Sequence, residues 1–233
     1  MENECFIKIL SHSGMVNIRR RIDAIGEWLS QSPKREYPML EDIFYILQKY
    51  QVSDGVIRHS VTVAEAAVNL AIWLNESGIE MSTPMLAAAG LLHDIAKGTP
   101  AHAKQGAKII GELGYPAIAA MIATHMDLTI LKHEALNEGA ILYFADKLSR
   151  QNQIVSLEER FNASLEKYDG SLEVMASIKK RFMAAWIIQN KILTVVDGKL
   201  VTINSAEAYA LWNVIKINGQ EAGDVHYYES VYI

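Results

Sequence analysis

Hydrophobic residues recur along most of this chain at the spacing of an α-helix. Between residues 56 and 77 the apolar positions alternate in steps of four and three, which places them on one face of a helix. That face consists of Ile57, Val61, Ala64, Val68 and Ala71. Residues 85–92 are apolar on every side. Because such a helix has no face to offer water, we expect it to run through the middle of the domain.

Residues that start and stop helices divide the rest of the pattern. Ser82 before Pro84 marks one start and Pro116 marks another, while Gly114 marks an end. The segment 156–159 is a capping box, which predicts a further start. The predicted helices cover residues 56–77, 82–92, 99–114, 116–125, 134–150 and 171–190, with one more that begins at residue 156.

Two parts of the chain depart from this pattern. Residues 195–201 place two β-branched runs around an Asp-Gly pair, which predicts a β-hairpin. The first ~40 residues and the last ~30 carry weaker amphipathic patterns, whose helix boundaries sequence patterns place only to within a few residues. The predicted fold is therefore all-α, a compact helical bundle with additional terminal helices and a small hairpin near the C-terminus.

Composition and charge narrow the class of protein. The chain has 233 residues, half of them hydrophobic, and a formal net charge of −5, so no basic excess favours nucleic acid or an anionic membrane as a partner. Its one cysteine, Cys5, excludes an intramolecular disulfide framework and a multi-cysteine zinc site. The longest apolar run, residues 85–92, is far shorter than the ~20 residues of a membrane helix. With no signal-peptide pattern at residues 1–4, we expect a soluble cytoplasmic protein.

Histidines and carboxylates lie at points where helices leave the apolar core. His93 and Asp94 directly follow the apolar helix, where a polar pair is costly unless something satisfies it. His59 lies in the first turns of the helix at 56–77, among apolar neighbours. Asp146 shares a helix face with the large hydrophobe Leu142. Nitrogen and oxygen donors on three helices that face one core are the ligands of iron, manganese and zinc, so we predict a metal cluster.

Each of these residues also has a simpler interpretation. Asp94 could pair locally while His93 donates to a backbone carbonyl, and Asp146 could form a surface pair with Arg150 four residues later. Two further histidines, His102 and His125, stand at predicted helix ends, where histidines are ordinary. The residues alone leave both interpretations open.

The order of these residues resembles a known family. His59, the pair His93–Asp94 and Asp146 follow one another as H…HD…D, in the contexts RHS, LLHDIAKG and ADKL. In this the chain resembles the HD superfamily of metal-dependent phosphohydrolases. The resemblance covers about residues 40–165 and implies a helical metal-binding domain there. We expect residues 1–39 to form a helical extension, and residues 166–233 to form C-terminal helices and the hairpin, packed on the same domain.

His102 and His125 extend the resemblance to binuclear members of the superfamily. The set is similar to that of HD-type diadenosine tetraphosphate hydrolases, HD-GYP cyclic-dinucleotide phosphodiesterases and HD-type di-iron oxygenases. Residues 90–128 also look like HD domains linked to molybdenum-cofactor nucleotidyltransferases. The resemblance implies two ions, divalent or mixed-valence, with iron as the first candidate and manganese or another divalent metal as alternatives. It assigns the first ion to His59, His93, Asp94 and Asp146, and the second to His102 and His125, with Asp94 bridging both.

The resemblance also implies roles in catalysis. Asp94 would orient a metal-bridging hydroxide, and Lys97, one turn later, would face the substrate phosphate. Arg58, Lys147 and Arg150 flank metal ligands and are further candidates for phosphate binding.

These roles imply hydrolysis of a nucleotide or another small phosphoester or phosphoanhydride, with a dinucleoside polyphosphate as the first candidate. Two alternatives stay open: a di-iron oxygenase that uses O₂, and a non-catalytic nucleotide-sensing module. We expect no nucleic acid or membrane partner, and the oligomeric state is left open. His12, His133 and His226 are expected to be structural or exposed rather than ligands.

Overall fold

Helices form nearly all the regular structure of the computed structural model, which describes residues 15–30, 36–168, 171–196 and 206–221. In chain order the helices are α1 (Met15–Leu29), α2 (Leu40–Lys49), α3 (Asp54–Glu76), α4 (Thr83–Leu92), α5 (His102–Glu112), α6 (Pro116–Thr124), α7 (Glu138–Lys147), α8 (Leu157–Lys167), α9 (Leu172–Val196) and α10 (Ala206–Glu221). Two short strands, β1 (Ser149–Arg150) and β2 (Gln153–Ile154), form an antiparallel pair between α7 and α8. The all-α prediction is confirmed.

The apolar helix α4 occupies the centre, as predicted. It begins after Ser82 with Pro84 in its first turn, and residues 86–92 are all buried. Gly90 explains how closely α3 approaches it, because a Cβ atom at this position would lie 2.5 Å from the Cα of Ala64. Only glycine permits such an approach of two backbones. The contact sets the spacing of the two helices near His59, which lies in α3, and His93, which follows α4.

The terminal helices share one core with the central ones. α1 and α2 pack on α4, α9 packs on α7 and α8, and α10 packs on α3. A single cluster of buried hydrophobic side chains runs from Ile18 in α1 to Ile215 in α10. The division of the chain at residues 39/40 and 165/166 stays a prediction. Within the described residues no helix combines the length and apolar character that crossing a bilayer requires.

Two helix starts lie three and four residues from the predicted ones. α7 begins at Glu138 rather than 134, because the side chain of Asn137 caps it by accepting a hydrogen bond from the Ala140 amide at 2.9 Å. α5 begins at His102 rather than 99, since the preceding Ala101 has a left-handed backbone conformation with φ of 51°. α7 also ends at Lys147, three residues early, because the next residues turn into β1.

The hairpin lies at a different place from the predicted one. Val195 and Val196, the first residues of the predicted hairpin, are the last residues of α9, and residues 197–201 lie outside the described residues. The observed hairpin turns at Gln151, whose φ is 58°, and its first strand, β1, takes the last two residues of the helix predicted at 134–150. This turn places a backbone carbonyl against the histidine of α3.

Candidate metal centre

Six histidines and aspartates converge where five helices begin or end. His59 lies in the second turn of α3, and Asp146 is the penultimate residue of α7. The other four lie at or next to helix ends. They are His93 and Asp94 after α4, His102 at the start of α5, and His125 after α6. His93, Asp94, His125 and Asp146 are buried, while His59 and His102 are partly exposed.

Four of these residues form a first group of facing donor atoms. Nε2 of His59 lies 3.1 Å from Oδ1 of Asp146, and Nε2 of His93 lies 3.7 Å from the same oxygen. Oδ2 of Asp94 completes the group, at 3.5 Å from Nε2 of His93 and 3.9 Å from Nε2 of His59. Donors that share an ion through bonds of about 2.1 Å lie roughly 3 Å or slightly more apart, so this spacing fits one cation.

A second group forms around the other oxygen of Asp94. Oδ1 lies 3.2 Å from Nε2 of His102 and 3.5 Å from Nε2 of His125. The imidazole rings of His93 and His125 meet edge to face, with centroids 5.0 Å apart, so the two groups are adjacent. Asp94 thus gives one carboxylate oxygen to each group.

Backbone carbonyls fix the orientation of three of the imidazoles. In each ring Nδ1 lies within hydrogen-bonding distance of a carbonyl oxygen. The pairs are His59 with Gln151 at 3.1 Å, His93 with Gly90 at 2.8 Å, and His125 with Ile122 at 2.7 Å. Because a carbonyl oxygen can only accept, Nδ1 must carry the proton, and Nε2 of the neutral ring keeps its lone pair. All three lone pairs therefore face the cluster, which is the arrangement of metal-ligating histidines.

Several of the facing atoms have no hydrogen-bond partner although they are buried. They are Oδ1 of Asp94 and Nε2 of His93, His102 and His125. A buried polar atom without a partner costs about 1–3 kcal/mol, so four at one point need a common explanation. Cations held by the two adjacent groups would satisfy all four atoms. The donor set therefore fits metal ions.

Burial and neighbouring charges keep His93 and Asp94 in the protonation states that bind metal. Burial lowers the pKa of His93 to about 4 in spite of the nearby carboxylate of Asp94, so its ring is neutral at physiological pH. Burial alone would raise the pKa of the Asp94 carboxyl, but the neighbouring imidazole of His102 and the ammonium of Lys97, 2.9 Å from Oδ2, hold that pKa well below its usual range. A neutral imidazole and an ionised carboxylate are the forms that bind metal.

Comparison with known proteins agrees with this geometry. Residues 56–151, which contain all six side chains, match the family of the HD domain. This part of the chain is an HD domain. An uncharacterized protein of Methanocaldococcus jannaschii is 35% identical over 91 residues, which is 37% of this chain and 54% of that relative. The matched part thus spans about half the length of the relative. No solved structure matches the chain.

The HD domain implies the superfamily of metal-dependent phosphohydrolases, and its histidine and aspartate clusters could bind divalent metal. A cavity of about 130 Å³ opens beside the first group of donors, with His59 and Asp146 in its lining. The predicted phosphate-binding residue Lys97 also lines it, and its ammonium lies 2.9 Å from Oδ2 of Asp94. The Lys97 side chain is 47% exposed, so it can reach a ligand.

The other predicted phosphate-binding residues lie in different surroundings. Lys147 lines the cavity, but its ammonium is buried and donates to a carboxylate oxygen of Asp146 at 2.6 Å and to a backbone carbonyl. Arg58 and Arg150 do not line the cavity. Arg150 points to the exposed carboxylate of Glu159 at 3.5 Å. His133 is exposed in the loop before α7, as expected, and His12, His226 and Cys5 lie outside the described residues.

Two arginines in the cavity lining were not among the predicted site residues. Arg160 comes from α8 and Arg181 from α9, both of which follow the HD domain in the chain. Phe161 and Ile178 from the same helices add apolar surface. The capping box at Ser156 predicts where α8 begins, but no motif in the sequence indicates that this helix covers the HD domain's cavity.

Proposed function

We propose that this chain is a metal-dependent phosphohydrolase with a binuclear centre, which cleaves a nucleotide or another small phosphoester or phosphoanhydride. The observation that carries the proposal is the set of buried, unpartnered donor atoms that face one point beside a cavity with cationic side chains. The first ion has as its ligands His59, His93, Asp94 and Asp146. The second has Asp94, His102 and His125.

The donor set limits the kind of ion. The donors are four imidazole nitrogens and the carboxylate oxygens of two aspartates, with no thiolate among them. Such a set suits iron, manganese or zinc rather than calcium or magnesium, which prefer oxygen ligands alone. We take two iron ions as the first candidate and manganese as the second. When bound, such a pair supplies Lewis acidity and lowers the pKa of a water molecule enough to make it a nucleophile at neutral pH.

The side chains around the centre define what the chain itself contributes. Asp94 divides its two oxygens between the donor groups, so it sets the distance between them. Lys97 presents an exposed ammonium at the cavity, where it would bind a phosphate oxygen as a compact positive charge. Lys147 holds Asp146 in an ionised, fixed orientation instead of contacting the substrate. The substrate is thus bound by charge and attacked without a protein nucleophile.

A phosphoester panel tests this function. Protein reconstituted with Fe²⁺ or Mn²⁺ is assayed for phosphate release from phosphomonoesters, nucleotides and dinucleoside polyphosphates, with and without oxygen. We expect metal-dependent turnover that needs no O₂, and loss of at least 1,000-fold in Asp94→Ala. Asp23→Ala, on the exposed side of α1, is the matched control and should keep full activity.

Other outcomes would contradict the proposal in different ways. Turnover of an organic substrate only in the presence of O₂ would indicate the di-iron oxygenase. Tight nucleotide binding without turnover under any metal would indicate the sensing module. Equal phosphate release by wild type and Asp94→Ala would show that the centre lies elsewhere.

A further inference from the structure

The cavity beside the metal centre is completed by helices that do not belong to the HD domain. Residues 56–151 form that domain, whereas α8 and α9 begin at Leu157 and Leu172. From these two helices Arg160 and Arg181 join Lys97 and Lys147 in the lining, so four cationic side chains face a volume of about 130 Å³. Such a concentration of positive charge in a chain with a net charge of −5 indicates an anionic ligand.

Three of these four cations already bind a carboxylate. The pairs are Lys97 with Asp94 at 2.9 Å, Lys147 with Asp146 at 2.6 Å, and Arg181 with Asp127 at 2.7 Å. Each of them would have to give up or share an existing partner in order to bind a ligand.

Arg160 differs from the other three. Its Nε atom is buried and has no hydrogen-bond partner, and among the described residues its guanidinium forms no ion pair. A guanidinium offers five N–H donors in a rigid planar fork and cannot lose its proton. Because Arg160 lines the cavity and no carboxylate in the described part of the chain holds its guanidinium, the side chain is available to an oxyanion there, with which arginine makes short, bidentate hydrogen bonds.

We infer that Arg160 binds the phosphoryl group of the substrate and selects a terminal one, that is, a phosphate monoester or the end of a phosphoanhydride. This inference rests on the proposed function and departs from its first candidate, because a dinucleoside polyphosphate carries a nucleoside at both ends and has no terminal phosphoryl group. A terminal phosphoryl group has three non-bridging oxygens, which is one more than an internal phosphodiester has. Arg160 adds donors on the α8 side of the cavity, and these can bind the additional oxygen. The small cavity volume holds the phosphoryl group and little else, because sites that enclose a whole drug-sized ligand have about 300–1,000 Å³.

The test compares Arg160→Ala and Arg160→Lys with the wild-type protein after metal reconstitution. The matched control is Arg150→Ala, because Arg150 is exposed, pairs with Glu159 and does not line the cavity. For each protein we measure metal content, kcat and KM for p-nitrophenyl phosphate and bis-p-nitrophenyl phosphate, and inhibition by inorganic phosphate.

Arg160→Ala is expected to keep its metal and to raise both the KM for the monoester and the inhibition constant of phosphate about tenfold or more. The KM for the diester should change less than threefold. Arg160→Lys should recover part of the monoester affinity, and Arg150→Ala should match the wild type. Monoester KM and phosphate inhibition within twofold of wild type in Arg160→Ala would overturn the inference. An equal loss for monoester and diester would overturn the selection of a terminal group.

Activity assays and phosphate titration together distinguish a failure of this inference from a failure of the proposed function. If the metal-loaded wild type hydrolyses neither ester and releases phosphate from no nucleotide or dinucleoside polyphosphate, the proposed function fails. Calorimetric titration of the metal-loaded proteins with inorganic phosphate then still tests Arg160. Weaker binding to Arg160→Ala than to Arg150→Ala would support a phosphate-binding role, and equal binding would overturn it.

Discussion

The ammonium group of Lys147 donates a hydrogen bond to the backbone carbonyl oxygen of His125, at 3.0 Å. The same ammonium lies 2.6 Å from Oδ2 of Asp146 and 4.7 Å from the ring centroid of Tyr143. Lys147 thus connects the end of α6, which positions one histidine of the metal centre, to the end of α7, which positions one carboxylate. Although it flanks a ligand in the sequence, its contacts are those of a positioning residue.

Replacing Lys147 by methionine should destabilise the protein, because the buried carboxylate of Asp146 loses its charge partner. We expect the free energy of unfolding of the metal-free protein to fall by about 3 kcal/mol, as when one member of a buried pair is removed. Urea denaturation measures this. Lys108→Met removes a pair whose side chains are 71% and 66% exposed, and should cost less than about 0.5 kcal/mol. Equal effects of the two changes would contradict the role of Lys147.

Gly90→Ala should force α3 and α4 apart. The new methyl group would lie 2.5 Å from the Cα of Ala64, and overpacking of this kind costs about 1–3 kcal/mol. Because the two helices carry His59 and the His93–Asp94 pair, the affinity for metal should fall as well. Thermal unfolding and metal titration check both effects.

The same substitution at Gly111 provides the opposite expectation. A methyl group there meets only the Cβ of Ala119 at 3.7 Å, an ordinary contact, and alanine favours the helix by about 0.5–1 kcal/mol. Gly111→Ala should therefore stabilise the protein slightly. If Gly90→Ala is as stable as Gly111→Ala, the close packing of α3 on α4 is not what holds the centre together.

Removal of metal should lower the melting temperature. The ions bind the folded state, and a ligand at 100 times its dissociation constant stabilises by about 2.7 kcal/mol, or roughly 5–10 °C for a chain of this size. Circular dichroism melts with and without a chelator measure the shift, which re-addition of Fe²⁺ or Mn²⁺ should reverse. Asp94→Ala should show no such shift. A chelator shift that is the same in both proteins would place the bound metal elsewhere.

His102→Ala should remove chiefly one of two ions. His102 faces only Oδ1 of Asp94, and not the donor group around Asp146. We expect elemental analysis to find about one ion per chain in this variant. His133→Ala replaces an exposed histidine and should keep the wild-type content. Unchanged metal content in His102→Ala would restrict the centre to a single ion.

The helices could be predicted because local rules decide them, whereas the set of metal donors came from the resemblance to the HD superfamily and stays a prediction. The apolar spacing that continues to Ala71 predicts α3, and the stretch at 85–92 predicts a buried α4. His93 and Asp94 follow this helix directly, so they emerge together at its end. The sequence also carries a signal for the start of α7, since Asn137 is a preferred N-cap residue, yet the predicted helix began at residue 134.

The residues around the substrate cavity could not be predicted in the same way. Arg58 precedes His59 in the chain, but consecutive helix residues point about 100° apart, and Arg58 is absent from the cavity lining. Arg160 lies 14 residues beyond the last metal donor and reaches the cavity only because α8 folds back over the HD domain. Tertiary packing decides this placement, and no local pattern encodes it.

The metal content of the protein tests the central claim most directly. Wild-type protein and Asp94→Ala are reconstituted anaerobically with Fe²⁺ or Mn²⁺, desalted and measured by elemental analysis. We predict two ions per chain in the wild type and fewer than 0.2 per chain in the variant, because Asp94 supplies a ligand to both ions. A wild-type protein that retains no stoichiometric metal, or an Asp94→Ala variant that retains both ions, would contradict the account.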